Sequence, residues 1–220
     1  MPEEIGNALE HLKNVKEKKF GDLTVYSGEW SSEIFITIAW SGWGKVSAAR
    51  AATRLVSSNL NSRAIDFVLF TGVAGGADPF LKQWDVIIST KVIQHDMDAR
   101  PMFPKFVVPA IKSETISANK HISDLIYNAL NQEKKIELKP FGNVLKGLIA
   151  TGDRFISEKK FLKQLRSEIQ DLKAVEMEGA AFAQVAFQEK IPWCIMRVIS
   201  DEADENAAEN FQEFLEKYEE

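Results

Sequence analysis

The sequence predicts an α/β fold, a three-layer α/β/α sandwich built on a central mixed sheet. Apolar runs of strand length alternate with stretches in which apolar residues recur at three and four. Several of these runs end in Gly, Ser, Asp or Phe, so their ends are expected to converge on one cleft. With 220 residues, 45% of them hydrophobic, the chain suffices for one core, and residues 1–220 are read as a single domain. A net charge of −5 implies no nucleic-acid surface, and no apolar run approaches a membrane span. The single cysteine, Cys194, lies in an apolar run and has no internal disulfide partner, which suits a reducing cytoplasm.

Taken in order, Met1 to about Lys16 reads as a helix, with Ile5, Ala8, Leu9, Leu12 and Val15 as its stripe. Leu23 to Ser27 and Ile34 to Trp40 read as strands, and Ser41-Gly42-Trp43-Gly44-Lys45 as a tight turn into a helix from Val46 to about Ser57. That turn lacks the earlier glycine and the metal-binding hydroxyl of a phosphate loop. Asp66 to Thr71 is a strand leading into the glycine-rich loop Gly72 to Pro79, where the backbone can approach a ligand closely. Trp84 to Thr90, extended by Val92 and Ile93, is another strand. Helices over Ser117 to Gln132, Ser157 to Ile169 and Ala207 to Tyr218, with a strand over Val144 to Thr151, complete the alternation.

His95, Asp96 and Asp98 have ligand chemistry, yet no further His or Cys cluster supports a metal, so a hydrogen-bonded loop anchor is expected. Met102, Phe103 and Phe106 follow on a proline-punctuated loop and are expected to be exposed and to meet a partner chain.

Two stretches carry chemistry. In Lys173 to Lys190, Glu176 and Glu178 flank Met177 where a short strand gives way to a helix beginning near Gly179. In Pro192 to Asp204, a buried strand holds one charged residue, Arg197, and ends in Ser200 and Asp201. A guanidinium inside such a run is costly unless paired, and Glu176 or Glu178 is the obvious partner.

In order along the chain, Ser41-Gly-x-Gly-Lys45, Thr71-Gly-x-Ala-Gly-Gly76, His95-Asp-x-Asp98, Gly147-Leu-Ile-x-x-Gly-Asp-x-Phe-Ile156, Val175-Glu-Met-Glu-Gly179 and Arg197-x-Ile-Ser-Asp-x-Ala-Asp204 resemble the 5′-methylthioadenosine/S-adenosylhomocysteine nucleosidases of the nucleoside phosphorylase/hydrolase fold. The resemblance implies hydrolysis of the N-ribosidic bond of an adenine nucleoside. Asp201 matches the acid that protonates adenine N7, and Ser200 the hydroxyl that orients it. Met177 and Glu178 match the residues holding the ribose, Arg197 and Glu4 those positioning water, and Glu176 supports them. Phe155 matches the aromatic stacked on adenine, and Ile156 the residue whose backbone meets the base edge. Val73, Ala74 and Gly75, with Trp43 and Phe211, are expected to complete the substrate wall. A homodimer is also implied, the partner's loop around Ala99, Met102 and Pro104 closing the pocket. No cofactor and no metal are expected.

The sequence departs from the family pattern in three places. No apolar strand precedes the Met-x-x-Glu segment, so an upstream strand is expected to be lacking, or activity to be weak. Trp43 replaces a smaller aliphatic residue, Val73 a serine, and Ala99 to Pro104 the apolar partner loop, so adenine specificity with an altered 5′ preference is expected. The chain also stops soon after Phe211, so the lid is expected to be short. Two other readings stay open: a phosphate-dependent purine nucleoside phosphorylase and a nucleoside-binding protein without turnover. The first needs an arginine cluster for its anion, and no arginine precedes Arg50 or sits beside the Thr71 loop.

Overall fold

The computed structural model describes residues 6–57, 64–133 and 140–218. A 3-10 helix, Gly6–His11, leads into an antiparallel meander of β1 (Lys13–Phe20), β2 (Leu23–Glu29) and β3 (Phe35–Ala39). This corrects the helix expected up to Lys16. Phe20 pairs with Leu23 across a two-residue turn in which Gly21 takes φ +67°, so the run folds back as a hairpin. Strand pairing supplies its hydrogen bonds, and Val15, counted in the helical stripe, is 45% exposed. Glu4 lies outside the described residues.

The remaining elements are α1 (Lys45–Ser57), β4 (Val68–Gly76), β5 (Val86–Gln94), β6 (Thr115–Ser117), α2 (Lys120–Glu133), β7 (Val144–Thr151), α3 (Lys159–Glu168), β8 (Leu172–Glu176), α4 (Gly179–Gln188), β9 (Trp193–Asp201) and α5 (Ala207–Tyr218). The large sheet runs β6-β5-β7-β8-β4-β9, and β9 also pairs with β5. It is mixed: β4 with β9 and β5 with β7 are parallel, whereas β5 with β9 and β4 with β8 are antiparallel.

Successive strand residues point to opposite faces. Ile87, Ile149, Ile195 and Ile199 pack with Ala52 of α1 and Phe182 and Ala183 of α4. Val86, Ile88, Cys194 and Val198 meet Ile122 and Ile126 of α2 and Phe214 of α5, while Leu148 and Ala150 meet Leu162 and Leu165 of α3. The predicted sandwich, helices on both faces of a central mixed sheet, is thus present.

One strand boundary and one burial differ from expectation. β4 runs on through the glycine-rich segment to Gly76, because parallel pairing with β9 continues and Gly75 and Gly76 add a short pairing with β8. Phe106, expected to be exposed, is buried against α3 and β7 residues, whereas Met102 is 80% exposed.

Candidate active site

The cleft forms where β3, β4, β7, β8 and β9 end. The strand-to-helix corner at β8 and α4 shows why two carboxylates occur there. Glu176, the last residue of β8, accepts hydrogen bonds from the N–H groups of Glu178 (3.1 Å) and Gly179 (2.7 Å), and so caps α4. The same carboxylate pairs with the Arg197 guanidinium, both side chains being 2% exposed. Thr151, fully buried, donates its hydroxyl to Glu176 and accepts the Ala180 N–H at 2.7 Å. Arg197 also donates to the Thr71 carbonyl at 3.1 Å and lies 4.4 Å from the Phe70 ring centroid.

Glu178 is freed from capping by its neighbour. Its Oε1 accepts the Gly44 N–H at 2.7 Å, and its Oε2 lies 3.8 Å from Arg197. Burial pushes its carboxyl above the ordinary range and the Glu176 charge adds to this, with Arg197 and the Gly44 N–H opposing. Asp201 closes β9. It is 4% exposed, with Ser200 Oγ donating to Oδ2 at 2.7 Å and the Ala203 N–H to Oδ1 at 2.8 Å. Burial raises its pKa, and the two donors offset this only in part. A Cβ on Gly75 would stand 3.0 Å from Asp201 Oδ1, so the glycine makes room for the acid.

A cavity of about 540 Å³ opens over these groups. Trp43, Phe155 and Phe211 wall one side, with Phe211 edge-on to both rings at centroid distances of 6.2 and 6.1 Å. Phe155 is 38% exposed and therefore no core residue. Buried acids whose pKa values are raised, a paired cation and an aromatic wall can together bind a flat base and protonate it while its bond to a cationic centre breaks.

Comparison with known proteins shows which family this cleft belongs to. The phosphorylase superfamily model matches residues 1–220. The 5′-methylthioadenosine/S-adenosylhomocysteine nucleosidase of Bacillus subtilis is 36% identical over 218 residues, 99% of this chain and 89% of that protein. The chain belongs to this nucleosidase family. A crystal structure of the Neisseria meningitidis nucleosidase in complex with methylthio-immucillin-A superposes with TM-score 0.87 at 34% identity, covering 100% of this chain and 90% of that one. The futalosine hydrolase of Helicobacter pylori superposes with TM-score 0.86 at 31% identity, covering 100% and 89%.

Most residues that the nucleosidase resemblance picks out meet at the cavity. Asp201, Ser200 and Arg197 arrive from β9, and Glu176, Met177 and Glu178 from the β8–α4 corner. Val73, Ala74 and Gly75 come from β4, Phe155 and Ile156 follow β7, Trp43 precedes α1, and Phe211 belongs to α5. Ala99, Met102 and Pro104 do not line it in this chain, and Glu4 lies outside the described residues.

His95 is an anchor, but by packing. Its backbone N–H donates to Thr151 at 2.9 Å, while neither ring nitrogen has a hydrogen-bond partner among the described residues. Asp96 bonds Lys45 and Asp98 bonds Arg100, so the three side chains turn to separate partners. Reading the sequence also missed Thr151 and the Gly44 amide. A hydroxyl ending an apolar strand was a signal for the first, but a backbone donor carries none.

Proposed function

We propose that the chain hydrolyses the N-ribosidic bond of 5′-substituted adenine nucleosides such as methylthioadenosine, releasing adenine and the free sugar. One observation carries the roles: Asp201, a carboxylic acid whose pKa burial raises, shares a cavity with the Phe155 ring and the Glu178 carboxyl. With adenine against Phe155, Asp201 gives its proton to N7, so the base departs neutral as the N9–C1′ bond breaks. Positive charge grows on the sugar as in glycoside hydrolysis, and Glu178 stabilises it while Met177 packs on the ribose. Water adds to C1′, guided by Arg197 and Glu4, and the proton it loses passes to the Glu4 carboxylate.

Among the described residues, the arginine most deeply buried at the cavity is Arg197, and Glu176 already neutralises it. This favours water over phosphate as acceptor. Exposed Met102 supports a homodimer in which the loop with Ala99 and Pro104 reaches the partner's pocket. No described helix is long and apolar enough to cross a membrane, and the buried Cys194 thiol suits a reducing cytoplasm.

The test is adenine release from methylthioadenosine with and without phosphate. Equal rates and no 5-methylthioribose 1-phosphate are expected. Phosphate-dependent release would favour the phosphorylase, and tight binding without release the binding protein.

A further inference from the structure

Three motifs remain that the proposed chemistry does not use: Lys45 after the Gly-x-Gly turn, Asp96 after His95, and Asp153 after Gly152. The fold brings them to one point. Lys45 Nζ donates to Asp96 Oδ1 at 2.7 Å, and the Lys45 N–H to Asp153 Oδ1 at 2.8 Å. Asp96 Oδ2 in turn accepts the Asp153 N–H at 2.9 Å, closing a ring of three bonds among the loops that follow β3, β5 and β7. The Lys45 side chain is only 20% exposed.

The surrounding residues are cut to fit this junction. Gly44 adopts φ +87°, and a Cβ there would lie 3.1 Å from Asp153 Oδ1. Gly152 rests on the buried His95 ring, where a Cβ would meet ring atoms at 2.3 Å. Burial opposes ionisation of Asp96, yet the Lys45 ammonium and the Asp153 N–H outweigh it and hold its carboxyl below the ordinary range.

What the junction joins is the site itself. The β3 loop carries Trp43 and the Gly44 N–H that holds Glu178, and the β7 loop carries Phe155 and Ile156. We propose that Lys45, Asp96 and Asp153 form a latch of positioning residues that fixes the sugar side of the cavity against its base side. The inference rests on the nucleosidase reading for its effect on turnover. None of the three lines the cavity, so they act through Glu178 and Phe155 rather than on substrate. Misplacement by about 1 Å costs roughly a hundredfold in rate.

The experiment compares Lys45→Met, Asp96→Asn, the double variant and Lys45→Arg with wild type. Kinetics of adenine release from methylthioadenosine, thermal melting and amide hydrogen exchange are read for each. We expect kcat/KM to fall roughly 10- to 100-fold in either single variant, with the double variant no worse than the lower single, since one unit has been broken. Lys45→Arg should regain most of the rate. Exchange at Gly44 and Lys45 should quicken at least tenfold. Wild-type kcat/KM in the variants, additive losses, or unchanged exchange would overturn the latch. An inactive wild type would sink the nucleosidase reading alone, and the exchange measurement would still decide the latch.

Discussion

Gly44 donates its backbone N–H to Glu178 Oε1 at 2.7 Å, although 134 residues separate them along the chain. The bond ties the turn before α1 to the corner before α4. The turn favours glycine because φ is +87° and a Cβ would crowd Asp153 Oδ1 at 3.1 Å. Gly44→Ala is expected to lose about 1–2 kcal/mol of stability from the left-handed conformation alone. Adenine release should fall with it as the strained backbone carries the residue-44 N–H away from Glu178. Urea unfolding beside turnover checks both, and an unchanged midpoint would refute the strain.

Asp201→Asn should reduce adenine release by roughly 10²–10⁴-fold while keeping the fold, since the proposed general acid is lost and the shape is not. The pH dependence has a definite sign. Burial raises the Asp201 pKa in the native state, so between the unfolded and folded values the native protein holds more protons. Its contribution to stability therefore falls as pH rises through that window. The melting temperature of Asp201→Asn relative to wild type should rise from about pH 4 toward neutrality. A relative melting temperature that falls over that range instead would contradict the raised pKa.

Wild-type activity should in turn decline as pH rises through the folded pKa of Asp201, because only the protonated acid can donate. A pH profile of kcat/KM on methylthioadenosine reads this as an alkaline limb. A rate that climbs across the same window would remove Asp201 from the role.

Glu176→Met should be among the most destabilising single changes, by about 3–5 kcal/mol, because it strands the 2%-exposed Arg197 side chain. Pairing it with Arg197→Met should recover much of that loss. A double-mutant cycle in denaturant measures the coupling, and simple additivity would show that the pair is not a unit.

Trp43 is 53% exposed and T-shaped to Phe211 at the cavity, the side to which the proposed function assigns the 5′ substituent. Trp43→Ile should raise turnover of S-adenosylhomocysteine relative to methylthioadenosine by roughly tenfold, the scale at which apolar pocket volume discriminates. An unchanged ratio of the two kcat/KM values would place the selectivity elsewhere.

The residues themselves announced much of this. An arginine in an apolar strand must have a counter-charge, and Glu176 supplies it; an acid closing that strand must face a cleft, and Asp201 does. Where the periodicity was ambiguous it misled. Lys13 to Phe20 carries charges on both faces and one valine, so neither a helical nor a strand period marks it, and only pairing with β2 makes it a strand. Phe106 reads as surface because its loop is punctuated by Pro101, Pro104 and Pro109, yet it is buried in the cluster that holds Leu162 and Leu165 of α3.

Sequence alone thus determined the alternation of elements, the charge that Arg197 demands and the acids at the strand ends, since these follow from burial and local spacing. Tertiary structure decided which of the two glutamates flanking Met177 pairs closely with the cation, which is held by the Gly44 N–H, and that Lys45, Asp96 and Asp153 meet. Those choices rest on hydrogen bonds between loops far apart in the chain, many made by backbone groups that every residue shares and no sequence pattern can mark.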